Sequence, residues 1–482
     1  MAQSPLITSG IRRSPARRPP LGCLLSSVCR YLCSFPPQHA RPSGESVTAA
    51  RYNTRAMKFH IWTVGCQMNV ADSRKLAAGL ERAGLAATDD MGEADLVVLN
   101  TCSVREHAED RAIGQLGRLK KQRQRGRDVR IAVMGCMVGQ RDDDLRRRFP
   151  YVDVFARPQD FAPIMEVAGV EDLGGEFWPT TFGEPDAPTA YVPVIHGCDK
   201  FCTFCIVPYR RGRERSRTIE EVRDEVEHYC ARGVREVTLL GQTVEAYGHD
   251  LPGRPDLGDL MAAIHDTPGL ERIRFLTSYP KDMTARIVDA VGGLPKVCEY
   301  FNIPVQSGDD RVLERMRRGY TLAEYLEKFD LVKARMPNAA MVTDIIVGFC
   351  GETDAEFQNT YRLLERLRFD KVHVAAYSPR PGTIAHRKLA DDVPAEVKHE
   401  RLQAIEQLEA RISAGINRGF LDTEQEVLVE SRRDGRWTGR NRPGKLIHFE
   451  GDAAIGHIVR VRIEKATAWS LQGTALPATV PA

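Results

Sequence analysis

The chain has no apolar stretch long enough to cross a bilayer, which excludes membrane-spanning helices. It has no excess of charge of either sign: 68 Lys and Arg face 65 Asp and Glu, a formal net charge of +3, so overall charge selects no class of partner. It lacks a second C-x2-C pair. Cys202 and Cys205 form the only one, whereas zinc modules usually carry two separated pairs. Acidic residues are almost missing from residues 1–56, where Glu45 stands alone among Arg, Ser and Pro. Arg-rich, acid-poor leaders read as organelle transit peptides. The competing and preferred reading is a mis-assigned start, because Met57 directly precedes the first convincing strand. Either way, residues 1–56 are expected to be disordered.

What the chain does have is Gly197-Cys198-Asp199-Lys200-Phe201-Cys202-Thr203-Phe204-Cys205. Three cysteines at C-x3-C-x2-C in one loop suit a cubane iron–sulfur cluster, whose irons are held by thiolates. Three local ligands leave the fourth iron open to a small molecule, unlike the closed sites of structural metals. The alternative is a structural zinc site completed from elsewhere, with His196 as the nearest candidate. A disulfide framework is disfavoured in a long chain without a clear export signal.

At 482 residues the chain has room for two to four domains. Strands are expected at 58–64, 95–100 and 129–134, with helices near 72–84 and 104–125 between them. That alternation reads as a doubly wound parallel sheet. Cys66, Cys102 and Cys136 each fall just past the end of one of these strands. In open α/β sheets those ends share one edge, where ligands bind. Three cysteines about 35 residues apart can therefore converge, and a second cluster with three protein ligands is the favoured reading. Cys230, Cys298 and Cys350 read as packed thiols.

A Gly/Pro-rich linker is expected around 171–190. Six further strands are then placed near 191–196, 236–241, 272–277, 300–305, 341–348 and 371–377. Helices are placed near 219–232, 257–266, 283–292, 322–335 and 353–367. Six βα units suggest a partial (βα)6 barrel of the TIM type, with its chemistry at the C-terminal strand ends. After a helix near 395–418, four short segments of period-two character (426–430, 437–440, 446–450 and 457–464) read as a small all-β barrel. The basic runs Arg118–Arg130 and Arg210–Arg217 raise the odds of a polyanionic partner.

These motifs resemble the radical-SAM methylthiotransferases, and most closely the MiaB-type tRNA methylthiotransferases, over roughly residues 57–475. The resemblance is carried by Gly65-Cys66-Gln67-Met68-Asn69, Asn100-Thr101-Cys102-Ser103-Val104-Arg105-Glu106, Gly135-Cys136-Met137 and the segment 197–217. Pro304-Val305-Gln306-Ser307-Gly308 and Ser378-Pro379-Arg380-Pro381-Gly382-Thr383 add to it.

It implies a leader at 1–56, a methylthiotransferase domain at 57–172, a radical-SAM domain at 184–415 and a TRAM-like β-barrel at 416–478. It implies a [4Fe–4S] cluster on Cys198, Cys202 and Cys205, with S-adenosylmethionine (SAM) on its open iron, and an auxiliary [4Fe–4S] cluster on Cys66, Cys102 and Cys136. The first would generate a 5′-deoxyadenosyl radical that takes hydrogen from C2 of N6-isopentenyladenosine at position 37 of tRNA. The second would present a sulfur that a second SAM methylates.

By the same resemblance Gly241, Gln242, Gln306, Ser307, Gly348, Gly351 and Glu352 would line the SAM site. Arg210, Arg211, Arg213 and Arg215, beside the cluster loop, are expected to meet phosphates of the tRNA anticodon stem-loop. The implied partners include an electron donor such as flavodoxin or ferredoxin and the iron–sulfur assembly machinery. The implied setting is a cytoplasmic monomer with no membrane, or an organelle if 1–56 is a genuine transit peptide.

Other readings are methylthiolation of threonylcarbamoyl-adenosine in tRNA or of a ribosomal-protein aspartate, and a non-catalytic RNA-binding protein with zinc. The chain also departs from the family at Thr243 and Glu245, at Tyr279, at Asn302-Ile303, and at Cys350.

Overall fold

The computed structural model describes residues 57–103, 106–139, 142–170, 185 and 187–477. The leader, most of the linker and the pair Val104-Arg105 lie outside these.

The N-terminal strands are β1 (Lys58–Thr63), β2 (Ala86–Ala87), β3 (Leu96–Thr101), β4 (Arg130–Gly135) and β5 (Val154–Ala156). They form one all-parallel sheet in the order β2-β1-β3-β4-β5. Every residue of β3 is buried. Because successive side chains alternate, Val97 and Leu99 enter one core with Leu116, Ile131 and Val133. Leu96 and Val98 enter the other with Phe59, Leu76, Ala132 and Met134. A strand covered on both faces must be apolar throughout, and Leu96-Val97-Val98-Leu99 is.

Two expectations change here. The first helix spans Gln67–Arg82, so it begins immediately after Cys66 rather than near 72. The short strands β2 and β5 were absent from the sequence reading.

The middle of the chain supplies β6 (Thr189–Pro193), β7 (Ile195–His196), β8 (Arg215–Ser216), β9 (Glu236–Leu240) and β10 (Arg272–Leu276). It continues with β11 (Tyr300–Asn302), β12 (Ala340–Val347) and β13 (Lys371–Ala376). Six of these are parallel and run in sequence order round a partial barrel. They divide into the sheets β6-β9-β10 and β11-β12-β13. Across the division Cys298 donates its N–H to the Ile273 carbonyl and Ser278 to that of Asn302. Threonines open three of the intervening helices. Thr218, Thr321 and Thr353 each form a reciprocal capping box with Glu221, Glu324 and Glu356. Cys230, Cys298 and Cys350 are buried, as packed thiols should be.

A 24-residue helix, Ala395–Arg418, leads to the last domain. There β14 (Glu424–Arg433), β15 (Arg436–Arg440), β16 (Leu446–Glu450), β17 (Ile458–Ala466) and β18 (Leu471–Ala475) close in the order β14-β15-β16-β18-β17. The barrel has five strands rather than four. Gly473 and Thr474 give β18 little hydrophobic alternation, yet it closes the ring around Val427, Val429, Ile447, Phe449, Val461 and Leu471.

The barrel is docked by arginines. Arg272 of β10 donates to the carbonyls of Arg440 (2.8 Å) and Glu426 (3.0 Å). Arg274 donates to those of Arg442 (2.7 Å) and Asn441 (2.8 Å) while pairing with Glu236. Arg442 answers across the joint with Glu299 and the carbonyls of Pro295 and Val297.

Candidate active site

Cys66, Cys102 and Cys136 follow the C-terminal ends of β1, β3 and β4, which are adjacent in the sheet, so the three cysteines line one edge. Cys66 is the N-cap of the first helix and is exposed, while Cys102 and Cys136 are buried. Gly65 permits this crowding. Its φ is +137°, and a Cβ there would lie 2.8 Å from Cβ of Cys102 and 2.9 Å from the Asn69 amide.

A buried amide pair fixes the two loops against each other. Asn69 Nδ2 donates to the carbonyls of Val64 (3.1 Å) and Thr101 (2.8 Å) and to Asn100 Oδ1 (3.2 Å). Asn100 Nδ2 donates back to the Asn69 carbonyl and to Ser73 Oγ, both at 2.8 Å. Neither asparagine is accessible to solvent, so the network is fully committed to holding Cys66 beside Cys102.

The second triad lies past β7. Gly197 has φ +74°, and a Cβ would fall 2.0 Å from the Arg213 carbonyl oxygen, so the loop can close only on glycine. Cys198 then donates its N–H to Gly212 O at 3.1 Å, and Cys205 to Cys202 O at 3.0 Å. Thr203 anchors the far side, donating to the carbonyls of Met316 and Arg315. Burial, reinforced by the neighbouring cysteines, pushes the Cys198 thiol up to about 11 and Cys205 up to about 12. These thiols hold their protons until a cation replaces them.

The donor set fits a cluster. Among the described residues no three His, Cys, Asp or Glu side chains converge as ligands of one metal ion. None of the six cysteines is in a disulfide, and thiolates are the usual ligands of iron–sulfur clusters. His196, the alternative zinc ligand, is buried against Gln159. Burial and the charges of Arg211 and Arg217 hold it well below its ordinary pKa.

One residue unforeseen from the sequence touches this loop. Arg318 donates from Nη1 to the Cys202 sulfur at 3.3 Å, from Nη2 to the Pro304 carbonyl and from Nε to Tyr320 Oη. Its ring neighbours are Tyr279 and Tyr320. No local signal marks Arg318, because its partner lies over a hundred residues upstream.

The residues expected to line SAM fall at the ends of β9, β11 and β12. Gly241 is packed so that a Cβ would meet Ile195 at 2.7 Å, and Gln242 beside it is partly exposed. Gln306 adopts φ +73° and is bridged to β12 through Asp344 and Ile346. Ser307 spends its hydroxyl on Thr360 and on the N–H of Asp309. Gly348 donates its N–H to Glu352 Oε2 at 2.5 Å, and Arg401 pairs with the same carboxylate at 2.9 Å. Gly351 donates to Asp392. The side chains of Ser307 and Glu352 thus shape the barrel rim from within.

The basic run divides, and here the expectation for Arg211 is corrected. Arg211 is not a surface phosphate contact. Its side chain is 1 % exposed and pairs with Asp72, itself fully buried, at 3.0 Å. It lies in a short helix, Val207–Arg211, pressed against the first domain. Arg210 is half-buried and lies in the field of Cys136 and Glu109. Arg213 is exposed and pairs with Asp199, and Arg215 is exposed on β8.

Comparison with known proteins agrees with this layout. Residues 58–156 match the family described as Uncharacterized protein family UPF0004. Residues 192–364 match the Radical SAM superfamily and 422–476 the TRAM domain. A tRNA-2-methylthio-N(6)-dimethylallyladenosine synthase of Dehalococcoides mccartyi (strain CBDB1) is 44% identical over 417 residues, 86% of this chain and 97% of the relative. One from Herpetosiphon aurantiacus is 41% identical over 431 residues, 88% of this chain and 98% of the relative. In fold, the chain is similar to the radical S-adenosylmethionine methyltransferase TsrM of Kitasatospora setae, with TM-score 0.51 and 14% identity over 69% of this chain and 77% of that one. With its parallel-sheet domain, radical-SAM barrel and closed C-terminal barrel in this order, the chain belongs to the radical-SAM tRNA methylthiotransferases, in the family of the tRNA-2-methylthio-N(6)-dimethylallyladenosine synthases.

Proposed function

We propose that this enzyme methylthiolates C2 of N6-isopentenyladenosine at position 37 of tRNA, consuming two SAM and a cluster-held sulfur. The observation that carries the proposal is the pairing of two cysteine triads on separate sheets, joined through Arg211, which follows one triad and contacts the surroundings of the other. On this reading Cys198, Cys202 and Cys205 hold one [4Fe–4S] cluster, and Cys66, Cys102 and Cys136 hold another. A cluster with SAM on its open iron supplies one-electron cleavage of a sulfonium, and so an oxidant strong enough for an unactivated C–H bond.

The chain's own residues do the rest. Arg318 holds a positive charge against the Cys202 sulfur, where it would offset the negative charge of a cluster held there. The Asn69–Asn100 pair holds Cys66 and Cys102 in register. On this reading Arg213 and Arg215 meet tRNA phosphates, and their exposure beside the cluster loop supports it. The domains divide at 57–172, 184–415 and 416–478. An electron donor of the flavodoxin or ferredoxin kind and the iron–sulfur assembly machinery serve a cytoplasmic monomer.

Mass spectrometry of tRNA nucleosides tests the substrate. Cells lacking the gene should lose 2-methylthio-N6-isopentenyladenosine and accumulate the unthiolated nucleoside. Loss of the threonylcarbamoyl counterpart instead would overturn the assignment.

A further inference from the structure

Arg211 ends the short helix Val207–Arg211 that follows Cys205 of the radical-SAM triad, yet its guanidinium sits inside the first domain. Nη2 donates to Asn69 Oδ1 and Asp72 Oδ2, both at 3.0 Å, so the residues it meets are those just after Cys66. Its Nη1, and Oδ1 of Asp72, have no hydrogen-bond partner among the described residues, although both side chains are almost wholly buried. A buried N–H group without a partner is costly and uncommon. Asn69 Oδ1, which accepts from Arg211, also accepts from the Cys66 thiol at 3.7 Å, and Cys136 interacts with the same guanidinium. A fixed cation with an open N–H beside two thiols suits a sulfur-ligated centre. Hydrogen bonds to the sulfurs and net local charge are the principal levers on cluster potential.

We infer that Arg211 is a positioning residue of the auxiliary cluster, donating its open N–H to the sulfur shell at Cys136. The auxiliary site is thereby complete only when the radical-SAM loop is docked on the first domain. This rests on the assignment of Cys66, Cys102 and Cys136 as ligands. Asp72 orients the guanidinium from behind, and Arg210 adds a second cation on the side facing Glu109. The loop that carries the radical-forming triad therefore also furnishes the sulfur-handling one.

The test uses the full chain, reconstituted anaerobically, with Cys202→Ala present so that the auxiliary cluster alone gives the paramagnetic signal. Adding Arg211→Gln should shift the midpoint potential in a redox titration to more negative values, because a positive charge that stabilised the reduced centre is gone. It should also weaken iron retention against a chelator by roughly 10–100-fold. Arg211→Lys, which keeps the charge, should restore much of both. Unchanged potential and retention in both variants overturn the inference. So does equal loss in both variants when it is accompanied by the same drop in melting temperature of the apo protein, since Arg211 would then be only a clasp between domains. A separate control addresses the ligands. If Cys102→Ala with Cys202→Ala keeps the iron of Cys202→Ala alone, the ligand assignment fails irrespective of Arg211.

Discussion

The guanidinium of Arg318 donates to the sulfur of Cys202 across 3.3 Å inside a fully formed box, with Tyr279 and Tyr320 as walls and the Pro304 carbonyl as floor. A buried cation at this position eases the entry of an electron into anything the sulfur ligates. Arg318→Gln should therefore lower the potential of that centre and slow 5′-deoxyadenosine formation by roughly 10–100-fold. Paramagnetic redox titration together with product assay checks this. An unaltered potential would leave Arg318 a packing residue only.

The two triads should fail separately. Cys202→Ala is expected to abolish 5′-deoxyadenosine production outright. Cys102→Ala should leave SAM cleavage running while methylthiolated nucleoside disappears. Chromatography of both products from one reaction decides the matter. Cleavage surviving Cys202→Ala, or methylthio product surviving Cys102→Ala, removes the corresponding assignment.

Asn100 gives a stability prediction. Its amide satisfies the Asn69 carbonyl and Ser73, and it accepts from Asn69 Nδ2. Asn100→Ala leaves buried groups unpaired and should cost about 1–3 kcal/mol in urea unfolding of the apo protein. It should also reduce iron bound per chain, because Cys66 and Cys102 lose their common brace.

Glu245 sets a pH dependence. Burial pushes its carboxyl up to about 8, against hydrogen bonds that include the Tyr279 N–H at 3.1 Å. The folded chain therefore keeps this proton over a range where the unfolded chain has released it. Stability contributed by the neutral carboxyl is present below the unfolded value, near 4.5, and declines as pH rises toward 8. Glu245→Gln should flatten that part of the stability–pH curve. Parallel curves for the two proteins would show that Glu245 ionises normally.

Arg442 offers a way to loosen the C-terminal barrel without entering the catalytic domain's core. It bonds Glu299 and two carbonyls across the joint. Arg442→Ala should weaken tRNA binding by about tenfold, the equivalent of 1.4 kcal/mol. SAM cleavage in the absence of tRNA should stay unchanged. Filter binding with unmodified transcript measures the first, and product assay the second.

Much of the architecture was legible because the longer strands of the first two domains each carry their own signal. Leu96-Val97-Val98-Leu99 is apolar on both faces, and Thr218, Thr321 and Thr353 each start a helix with an acid three residues on. The cysteines stand out as candidate ligands by spacing in one case and by position past strand ends in the other. The start of the first helix was missed because Asn69, Asp72 and Ser73 look like turn residues. Their polar side chains bond across to Asn100, Arg211 and Thr63. Arg211 was misplaced because its neighbours in sequence are arginines, while the acid that captures it is far upstream. β18 was missed because its residues pack by being small. Arg318 could not be found at all, since nothing local announces a contact with Cys202.

The arginine joint between β10 and the C-terminal barrel has a consequence for how the barrel is held. Arg272 and Arg274 bond main-chain carbonyls at Glu426, Arg440, Asn441 and Arg442, so they grip the barrel's frame and not its mobile side chains. A part gripped by its frame keeps a constant offset from the part that grips it. The offset between β10 and the barrel is thus set by main-chain bonds, and rearranging side chains on the barrel's outer surface leaves it unchanged.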